Sequence, residues 1–428
     1  MSFIDASPTP LRLLFVAPYP PSPIRVRPFQ LLRQLARRGH NITLVCASSD
    51  DDTAELAALR LLCERVLPVT VGRGARAGAY LRALAGELPL QAAHCLSPAL
   101  VTTLRGELAR GAYDVVHIEH LRAAEVARAA VAGLPAAPPL VLDAVDSISL
   151  LFERAARNSP SPRARAMALL DLSRTRRYEA AYGRRFDHVA ITSPEDRWAL
   201  ETLRASHAEL PGAPITVVPN GVDLDYFQPT GQQREPETLV FSGKMSYHAN
   251  DAAARFLLDT IMPLVWRERP RVRVVIAGAQ PGPAILAHAR NPLVTVTGLV
   301  PDLRPYLAGA TLAVAPIRYG VGVQNKVLEA MAMGAPVVAA RQATVALAAR
   351  PGAELLVAEG AQAFAAQVLA LLADPARRHS IGAAGRAYVE RRHGWEASAA
   401  LLEGCYGAAR EAASPRVKRI VTAAASRI

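Results

Sequence analysis

Two of the chain's three lysines lie in glycine-containing segments whose residue types suit phosphate binding. The segment APIRYGVGVQNKVLEAMAMGAPVVAA, residues 315–340, places Gly320 and Gly322 before a predicted helix. Glycines let the backbone approach a ligand closely, and a helix N-terminus attracts anions. Lys326 and Glu329 are three residues apart and so share a face of that helix. The ammonium could bind a diphosphate and the carboxylate a ribose, although a solvent-exposed Lys–Glu pair is the alternative.

The second lysine segment, TLVFSGKMSYHAND, covers residues 238–251 and ends a predicted strand at Ser242. Gly243 forms the turn, and Lys244 follows at the carboxyl end of the strand, where parallel α/β sheets bind ligands. Taken alone, Lys244 could be an ordinary surface charge. Because only three of the chain's 49 basic residues are lysines, its occurrence together with Lys326 predicts a diphosphate site.

Polar residues also follow predicted strands in the first half of the chain. Asp146 follows the fifth strand in LDAVDSIS, and His120 follows the fourth in VVHIEHL. An aspartate held ionised near a cation could accept a proton from a hydroxyl; alternatively, Asp146 caps the helix that starts at Ser147. His120 is predicted to face a ligand, whereas His117 is predicted to pack inside. With Glu119 between them, the histidines offer too few ligands for a metal site.

The loop after the first predicted strand, PYPPSPIRVRPFQ at residues 18–30, carries Arg25 and Arg27. Arginines can bind phosphate through two parallel hydrogen bonds, so this loop could contact a ligand phosphate. An exposed basic loop is the alternative. Asp223 and Asp225 have the spacing of a metal-binding DxD motif, but their setting, PNGVDLDYF, favours a connection between domains.

The hydrophobic pattern predicts an α/β protein. Short aliphatic runs alternate with longer segments rich in Ala, Leu and Arg, as expected of βαβ units around parallel sheets. The predicted strands are 12–16, 41–46, 66–71, 114–118, 140–143, 188–192, 238–242, 273–277, 294–297, 312–315, 336–339 and 355–357. A chain of 428 residues exceeds what one core usually supports, and the Pro- and Gly-rich stretch 211–233 predicts a linker. We expect two doubly wound domains, 1–212 and 213–393. The remainder, 394–428, is expected to form a C-terminal helix that packs back toward the first domain, followed by a basic tail.

Composition limits the partners and the compartment. The net charge of +12 is compatible with nucleic acid, an anionic membrane or a phosphorylated small molecule. Nine arginines against three acids in 152–186 predict either solvated helix faces or a surface for anionic lipid, to which the tail 414–428 could contribute. The apolar stretch 11–17 is too short for a signal peptide or a membrane span, so any membrane contact is expected to be peripheral. Four scattered cysteines without a CxxC motif fit the cytoplasm.

The two lysine segments, together with VVPNGVDLDYFQP at 217–229, resemble the large family of retaining, nucleotide-sugar-dependent glycosyltransferases of the GT-B architecture. In that architecture two Rossmann-like domains face each other across a cleft. The likeness extends from RLLFVAPYPP to the helix around Trp395 and is greatest to sugar transferases of bacterial exopolysaccharide assembly. It implies transfer of a sugar from a nucleoside-diphosphate sugar to a hydroxyl of a glycan or lipid-linked sugar. It also implies no metal or other cofactor, and a cytoplasmic location that could include the face of the inner membrane.

The resemblance assigns roles to several residues. Lys244 and Lys326 would neutralise the leaving diphosphate, and Glu329 would hold the donor ribose. Asp146 stands where many relatives place a histidine near the reacting sugar. Backbone groups of residues 298–302 would recognise the base.

This chain departs from the family pattern in its donor site, where Lys244 itself stands at a position that is usually arginine in relatives. Val321 stands where many relatives have a glutamate that touches the sugar, so Gln324, Asn325 or loop amides would take over those contacts. Asn250 stands roughly where relatives often carry a second cation, and Arg318 could compensate.

Other functions fit the sequence less well. A nucleotide-sugar epimerase on the same architecture would isomerise the donor without an acceptor. A dehydrogenase is disfavoured, because neither half has GxGxxG after its first strand with an acid about 20 residues on. A non-catalytic nucleic-acid binder would carry aromatic platforms or recognition motifs that this sequence lacks. The sugar, the base and the acceptor are not identified by sequence.

Overall fold

The computed structural model describes residues 9–49, 51–159, 161–206 and 212–425, with side chains described as far as residue 413. The chain forms two compact units. The first contains the chain up to Ser149, the segment Asp171–Val218 and the chain from Trp395, and the second contains Leu150–Leu170 and Pro219–Gly394. The predicted boundary at 212/213 therefore differs in two ways: the first unit continues to Val218, and Leu150–Leu170 belongs to the second unit.

Thirteen strands in the described residues form two parallel sheets. The strands are β1 Arg12–Ala17, β2 Asn41–Ser48, β3 Arg65–Thr70, β4 Val115–Glu119, β5 Leu140–Val145, β6 His188–Ile191, β7 Ile215–Val217, β8 Glu235–Ser242, β9 Arg273–Ala277, β10 Val294–Gly298, β11 Ala310–Ala315, β12 Val337–Ala340 and β13 Leu356–Ala358. Their hydrogen-bonded order is β3-β2-β1-β4-β5-β6-β7 in the first unit and β10-β9-β8-β11-β12-β13 in the second.

Helices connect these strands in nearly every crossover. The α-helices are α1 Val26–Arg37, α2 Thr53–Leu59, α3 Arg73–Ala85, α4 Leu90–Ala93, α5 Pro98–Arg110, α6 His120–Val131, α7 Ile148–Asn158, α8 Pro162–Ala180, α9 Tyr182–Arg185, α10 Pro194–Ala205, α11 His248–Phe256, α12 Met262–Glu268, α13 Pro283–Ala287, α14 Arg304–Gly309, α15 Asn325–Ala332, α16 Gly360–Ala373, α17 Pro375–Arg392 and α18 Trp395–Ala425. A π-helical turn, Leu257–Ile261, joins α11 to α12, and short 3₁₀ helices occupy His288–Arg290 and Arg341–Ala343.

Both sheets have the doubly wound strand order, so the predicted fold class is confirmed. In each, the chain moves outward over three strands, returns past the first strand and continues on its other side. All residues of β4 and β11 are buried, as expected for strands covered by helices on both faces. Each of the twelve predicted strands overlaps an observed one.

The strand missed by the sequence reading is β7. It covers three half-buried residues, Ile215–Val217, and pairs with β6 at the edge of the first sheet. Its neighbours Pro214 and Pro219, with Gly212 close by, favoured a linker instead. A three-residue strand at the edge of a sheet is too short and too little buried to show a hydrophobic pattern in the sequence.

The core of the first unit includes the start of α18. Trp395, Leu402 and Tyr406 of that helix pack with Phe15 of β1 and Leu31 of α1 in one buried cluster. Inside this unit Arg27 forms two hydrogen bonds to the Asp143 carboxylate, at 2.8 and 3.0 Å, and donates a third to the Val218 carbonyl. Arg27 is only 4% exposed, so it is a structural residue and not the phosphate ligand considered with Arg25.

Helix α8 covers much of the arginine-rich segment 152–186. Its Ala168, Asp171 and Thr175 are buried, whereas Met167 and Leu169 are exposed beside arginines. The basic tail from residue 414 lies outside the residues whose side chains are described. Within the part of the chain that the structure describes, no helix has both the length and the apolar character needed to span a membrane.

The buried Arg27–Asp143 pair predicts a specific stability pattern. Replacing Arg27 by Met leaves the Asp143 carboxylate buried without its cation and should cost about 3–5 kcal/mol in the free energy of unfolding. The double change Arg27→Met with Asp143→Leu should be milder than the single change, since no charge is then left unpaired. Urea denaturation followed by circular dichroism measures both. A single variant within about 0.5 kcal/mol of wild type would contradict a structural role for the pair.

Candidate functional site

The strand order of the second sheet reverses between β8 and β11, and the predicted phosphate-binding segments leave the sheet at that point. In open α/β sheets ligands bind outside the carboxyl ends of the strands at such a reversal. Gly243 and Lys244 follow the end of β8, and residues 316–324 lead from β11 to α15. The structure thus brings both lysine segments to one edge of one sheet.

The turn after β8 is pressed against the turn after β9. The Gly243 amide donates to the Ala277 carbonyl at 3.0 Å, and the Met245 amide donates to Ala279 at 2.8 Å. Gly278 has φ +146°, and a Cβ placed on it would lie 1.9 Å from the Gly243 oxygen. Sequence reasoning missed Gly278; its position directly after a strand is the signal that could have identified it. Because two backbone hydrogen bonds join the turns and no side chain fits at Gly278, the two turns fix the backbone position of Lys244.

Lys326 lies over the end of β8. Its Nζ is 3.3 Å from Gln324 Oε1 and 5.8 Å from the centroid of the Phe241 ring. Its Cε is 3.3 Å from the position that a Cβ on Gly243 would take. Burial lowers the pKa of the Lys326 ammonium to about 8, and the nearby Glu329 carboxylate opposes that shift. This cation is therefore poorly solvated.

Glu329 shares the half-buried face of α15 with Lys326. Burial raises the pKa of the Glu329 carboxyl to about 7, against the opposing effect of Lys326. The two groups form no ion pair within 4.0 Å in the described residues, although each shifts the other's pKa. The alternative of a solvent-exposed Lys–Glu pair does not match the structure, because desolvation is the largest cause of the pKa shifts of both Lys326 and Glu329.

Lys244 differs from Lys326 in its surroundings. Its side chain is exposed, and within the described ranges its ammonium meets no hydrogen-bond acceptor or carboxylate. Asn250 Nδ2 donates to the Lys244 carbonyl at 2.9 Å and thus holds this turn. The Arg318 guanidinium lies 5.2 Å over the ring of Phe256, at the far end of α11. The structure therefore does not place Arg318 beside Asn250 as a replacement cation.

The residues proposed to replace the missing glutamate are largely engaged with the protein. Val321 is buried, and its carbonyl accepts from Gln324 Nε2 at 3.2 Å. Because Gln324 Oε1 faces Lys326, both ends of this side chain have partners. Asn325 Oδ1 accepts from Asn220 at 3.1 Å, which leaves the Asn325 amide nitrogen for a ligand. Gly322 has φ +66°, the left-handed conformation that favours glycine, whereas Gly320 does not.

A second group of polar residues lies at the corresponding reversal of the first sheet, between β1 and β4. The Arg25 guanidinium stacks on Tyr19, 4.4 Å from the ring centroid, and donates to the Pro20 carbonyl at 2.9 Å. Arg122, in the first turn of α6, donates through Nε to Gln91 Oε1 at 2.6 Å. The sequence analysis did not identify Arg122 and Gln91 as candidate site residues. The only signal for them in the sequence is their position near the ends of a strand and a helix.

The surroundings of His94 show an excess of positive charge at this edge. Burial, followed by the Arg122 and Arg76 guanidinium groups, lowers the pKa of His94 to about 4. Tyr80 Oη lies 2.6 Å from His94 Nδ1. In the described part of the chain, the buried Nε of Arg76 has no hydrogen-bond partner. Arg76 and Arg122 thus place two positive charges beside His94.

His120 begins α6 with φ +64°, a strained conformation for a residue other than glycine. Its Nδ1 accepts from the Arg122 amide at 3.1 Å, which leaves the proton on Nε2. Burial, together with Arg122 and His94, lowers the pKa of His120 to about 3. This half-buried side chain is neutral at physiological pH, so it can donate a hydrogen bond but cannot act as a cationic acid.

Asp146 does not match the expectation of an ionised aspartate beside a cation. Burial, followed by repulsion from Asp196, raises the pKa of Asp146 to about 7, against the opposing effects of Thr192 and Arg27. Thr192 Oγ1 donates to its carboxylate at 3.2 Å. Asp146 does not cap α7 either.

The cap of α7 comes from Glu179, which accepts from the Ile148 amide at 2.7 Å. Val145, directly before Asp146, has φ +67°. Strain of this kind costs about 1–3 kcal/mol per residue and is concentrated at functional sites.

A buried group formed by His117, Glu119 and Asp143 has ligand atoms within 4.8 Å of one another. It is poorly suited to a cation, because both Asp143 oxygens accept from Arg27 and His117 Nδ1 lies 2.9 Å from Tyr406 Oη. His117 also stacks on Phe15, as predicted for an inward-facing residue. In the DxD segment, Asp223 accepts from the Tyr226 amide at 3.2 Å, a contact within a turn.

Comparison with known proteins identifies related sequences over both units. Residues 26–226 match the family model described as Glycosyltransferase Family 4, and residues 236–374 match Glycosyl transferases group 1. A D-inositol 3-phosphate glycosyltransferase of Kineococcus radiotolerans is 31% identical over 53% of this chain and 58% of its own length. Its namesake from Kribbella flavida is 29% identical over 89% of each chain.

Solved structures share the fold. Sucrose-phosphate synthase from Thermosynechococcus elongatus superposes with a TM-score of 0.69 at 18% identity, over 92% of this chain and 98% of its own. The Anabaena protein HepE in complex with UDP-glucose has a TM-score of 0.66 at 14% identity, with the same coverage of both chains. At these identities the similarity establishes the fold alone.

The contact between the β8 and β9 turns can be tested with two neighbouring glycines. Gly278→Ala should lower the free energy of unfolding by more than about 1 kcal/mol, because its Cβ would collide with the Gly243 oxygen and its φ disfavours alanine. Gly282→Ala is the control, since the nearest atom to its Cβ, Asp251 Oδ1, is 3.5 Å away and its φ is −73°. Thermal and urea unfolding of both variants measure the difference. Equal stability of the two would show that the turns are not held as described.

Proposed function

Because residues 26–226 match the model of Glycosyltransferase Family 4 and residues 236–374 that of Glycosyl transferases group 1, we propose that the chain is a glycosyltransferase that transfers a sugar from a nucleoside-diphosphate sugar to a hydroxyl of an acceptor. The observation that carries the donor half of this proposal is the half-buried Lys326 ammonium at the start of α15. The HepE complex with UDP-glucose makes UDP the first nucleotide to test.

The electrostatics of the second-unit site suit a leaving diphosphate. Lys326 bears a cation whose pKa is lowered by burial, so an anion at this place would restore the stabilisation that burial removes. Negative charge grows on the diphosphate as its bond to the sugar breaks. Lys326, Lys244 and the N-terminal amides of α15 then stabilise the transition state more than the bound donor.

Glu329 and Asn325 complete the donor side of the proposal. Glu329 in its ionised form accepts hydrogen bonds from the ribose hydroxyls, and its pKa near 7 means that donor binding drives its ionisation. The Asn325 amide nitrogen and the amides of residues 320–323 are the groups left for the sugar, because Gln324 is engaged by Val321 and Lys326.

We propose that the first-unit edge binds the acceptor and that the acceptor carries phosphate. At the β1–β4 reversal, the guanidinium groups of Arg25 and Arg122 donate to the Pro20 carbonyl and to Gln91, and among the described residues neither has a carboxylate partner. The relatives named D-inositol 3-phosphate glycosyltransferase support a phosphorylated polyol, and lipid-linked sugars carry the same anionic chemistry. Asp146, with a pKa near 7, is suited to accept the proton of the attacking hydroxyl, and the neutral His120 to orient the acceptor.

The remaining features of the proposal rest on family resemblance and on composition. Retention of the anomeric configuration and independence of metal follow from the resemblance, with lysines taking the place of a divalent cation. A role in exopolysaccharide or other surface-glycan assembly would place the enzyme at the cytoplasmic face of the inner membrane. Exposed Met167 and Leu169 beside Arg163 and Arg165 support peripheral contact with anionic lipid.

Lys326 provides the decisive experiment for the donor site. Lys326→Ala should lower kcat about a hundredfold with the fold intact, because it removes one contact to the developing charge.

In the wild type, kcat/KM for the donor should fall about tenfold per pH unit above pH 8, as Lys326 loses its proton in the free enzyme. Lys326→Arg keeps its charge, so this alkaline limb should disappear. Steady-state assays with UDP-sugars from pH 6 to pH 10 measure it.

Two outcomes would contradict this assignment. Turnover of Lys326→Ala within about threefold of wild type would remove Lys326 from the mechanism. An alkaline limb that persists in Lys326→Arg would belong to another group. Isomerisation of the donor in the absence of any acceptor would favour an epimerase.

The acceptor assignment is tested by comparing inositol 3-phosphate with inositol as acceptors, and by comparing an Arg122 variant with an Arg105 variant. Arg122→Gln should raise KM for D-inositol 3-phosphate at least about tenfold, since a charge-assisted contact is lost, while KM for the donor stays unchanged. Arg105→Gln is the control, because Arg105 lies in α5 and donates to the Ala129 carbonyl. Unphosphorylated inositol turned over as well as inositol 3-phosphate by the wild type would contradict recognition of a phosphate.

A further inference from the structure

Residues Leu150–Leu170 are close in sequence to Asp146 but belong to the second unit. They comprise most of α7 and the first half of α8. A buried cluster joins them to the beginning of α11 and to the loop after β11; its members are Phe152, Ala155, Ala156, Ala168, Ala249, Ala252 and Tyr319. The loop that leads into α15 is thus packed against a segment from a different part of the sequence.

Tyr319 is the centre of this contact. It is 1% exposed, and its hydroxyl lies 3.2 Å from Ser159 Oγ and 3.0 Å from His248 Nδ1. Its ring stacks on His248 with centroids 5.4 Å apart and an angle of 12° between the planes. His248 begins α11, four residues after Lys244. Tyr319 therefore links Leu150–Leu170 to both lysine segments.

Arg154 contacts the next residue of the same loop. Its Nη1 donates to the Gly320 carbonyl at 2.6 Å, and Gln342 Nε2 donates to the same oxygen at 3.2 Å. Gly320 and Gly322 give this loop a backbone with large conformational freedom, which must be restrained if the loop is to present its amides to a ligand. A charge-assisted hydrogen bond to a carbonyl is a strong restraint of this kind.

We propose that Arg154 is a positioning residue of the donor site: it holds the Gly320 carbonyl and thereby keeps residues 319–324 and the start of α15 in the conformation that binds the diphosphate. The inference rests on the proposed function for the identity of the ligand. A ligand binds more weakly when its competent conformation is only partly populated. Loss of Arg154 should therefore weaken donor binding through the conformation of this loop.

The experiment compares Arg154→Met, Arg154→Lys and Arg157→Met. Arg157 lies one turn further along α7 and is exposed, so its variant is the matched control. Hydrogen exchange of residues 317–326 is measured without ligand, and UDP affinity is measured by calorimetry. Arg154→Met should accelerate exchange in this loop and raise the Kd for UDP about tenfold, the typical effect of one hydrogen bond to a charged group. Arg154→Lys should show smaller changes than Arg154→Met in both loop exchange and the Kd for UDP. Arg157→Met should match the wild type in both.

Each outcome separates the inference from the proposed function. Unchanged loop exchange in Arg154→Met, or an increase spread evenly over the whole chain, overturns the positioning role. A wild type that binds no nucleoside diphosphate overturns the proposed function, while the exchange comparison still decides whether Arg154 holds the loop. An unchanged Kd for UDP in Arg154→Met, with faster loop exchange, would show that the loop conformation does not govern binding, and this too overturns the inference.

Discussion

A lysine ammonium that has lost much of its water is the feature on which the donor site depends. Lys326 sits over the Phe241 ring at the start of α15, and burial brings its pKa down to about 8. Holding a cation in such a place costs free energy that its hydrogen bond to the neutral Gln324 side chain only partly offsets. The diphosphate of the proposed donor would supply a counter-charge for this ammonium.

The backbone around this lysine is arranged to leave room for that counter-charge. The Gly243 and Gly278 turns meet so closely that no side chain fits between them, and Asn250 fastens the Lys244 carbonyl. Backbone strain occurs at the first-unit edge, where His120 and Val145 adopt left-handed conformations beside strand ends. Close-packed glycine turns in the second unit and strained residues in the first thus lie at the carboxyl ends of central strands, where doubly wound sheets bind ligands.

Sequence reasoning succeeded where a residue's position follows from local pattern. The strands were predictable because buried aliphatic runs alternate with helical segments, and the placement of Lys326 and Glu329 on one helix was predictable from their spacing. It failed where the role depends on contacts distant in sequence. Arg27 has the same residue type as Arg25, yet Asp143, more than a hundred residues away, makes it structural. The packing of Leu150–Leu170 in the second unit was equally unpredictable. Most of the buried contact is made by alanines, and alanines are so common in this chain that they do not mark a contact in the sequence.

The most direct test of the central claim compares UDP with uridine for binding to the wild type and to Lys244→Ala, by calorimetry at pH 7. Lys244 is exposed, so its removal should leave the fold unchanged. The account predicts that affinity for UDP falls about tenfold while affinity for uridine does not change, because only the diphosphate meets the ammonium. Equal losses for both ligands, or no loss for either, would contradict a diphosphate site at the β8–β11 reversal.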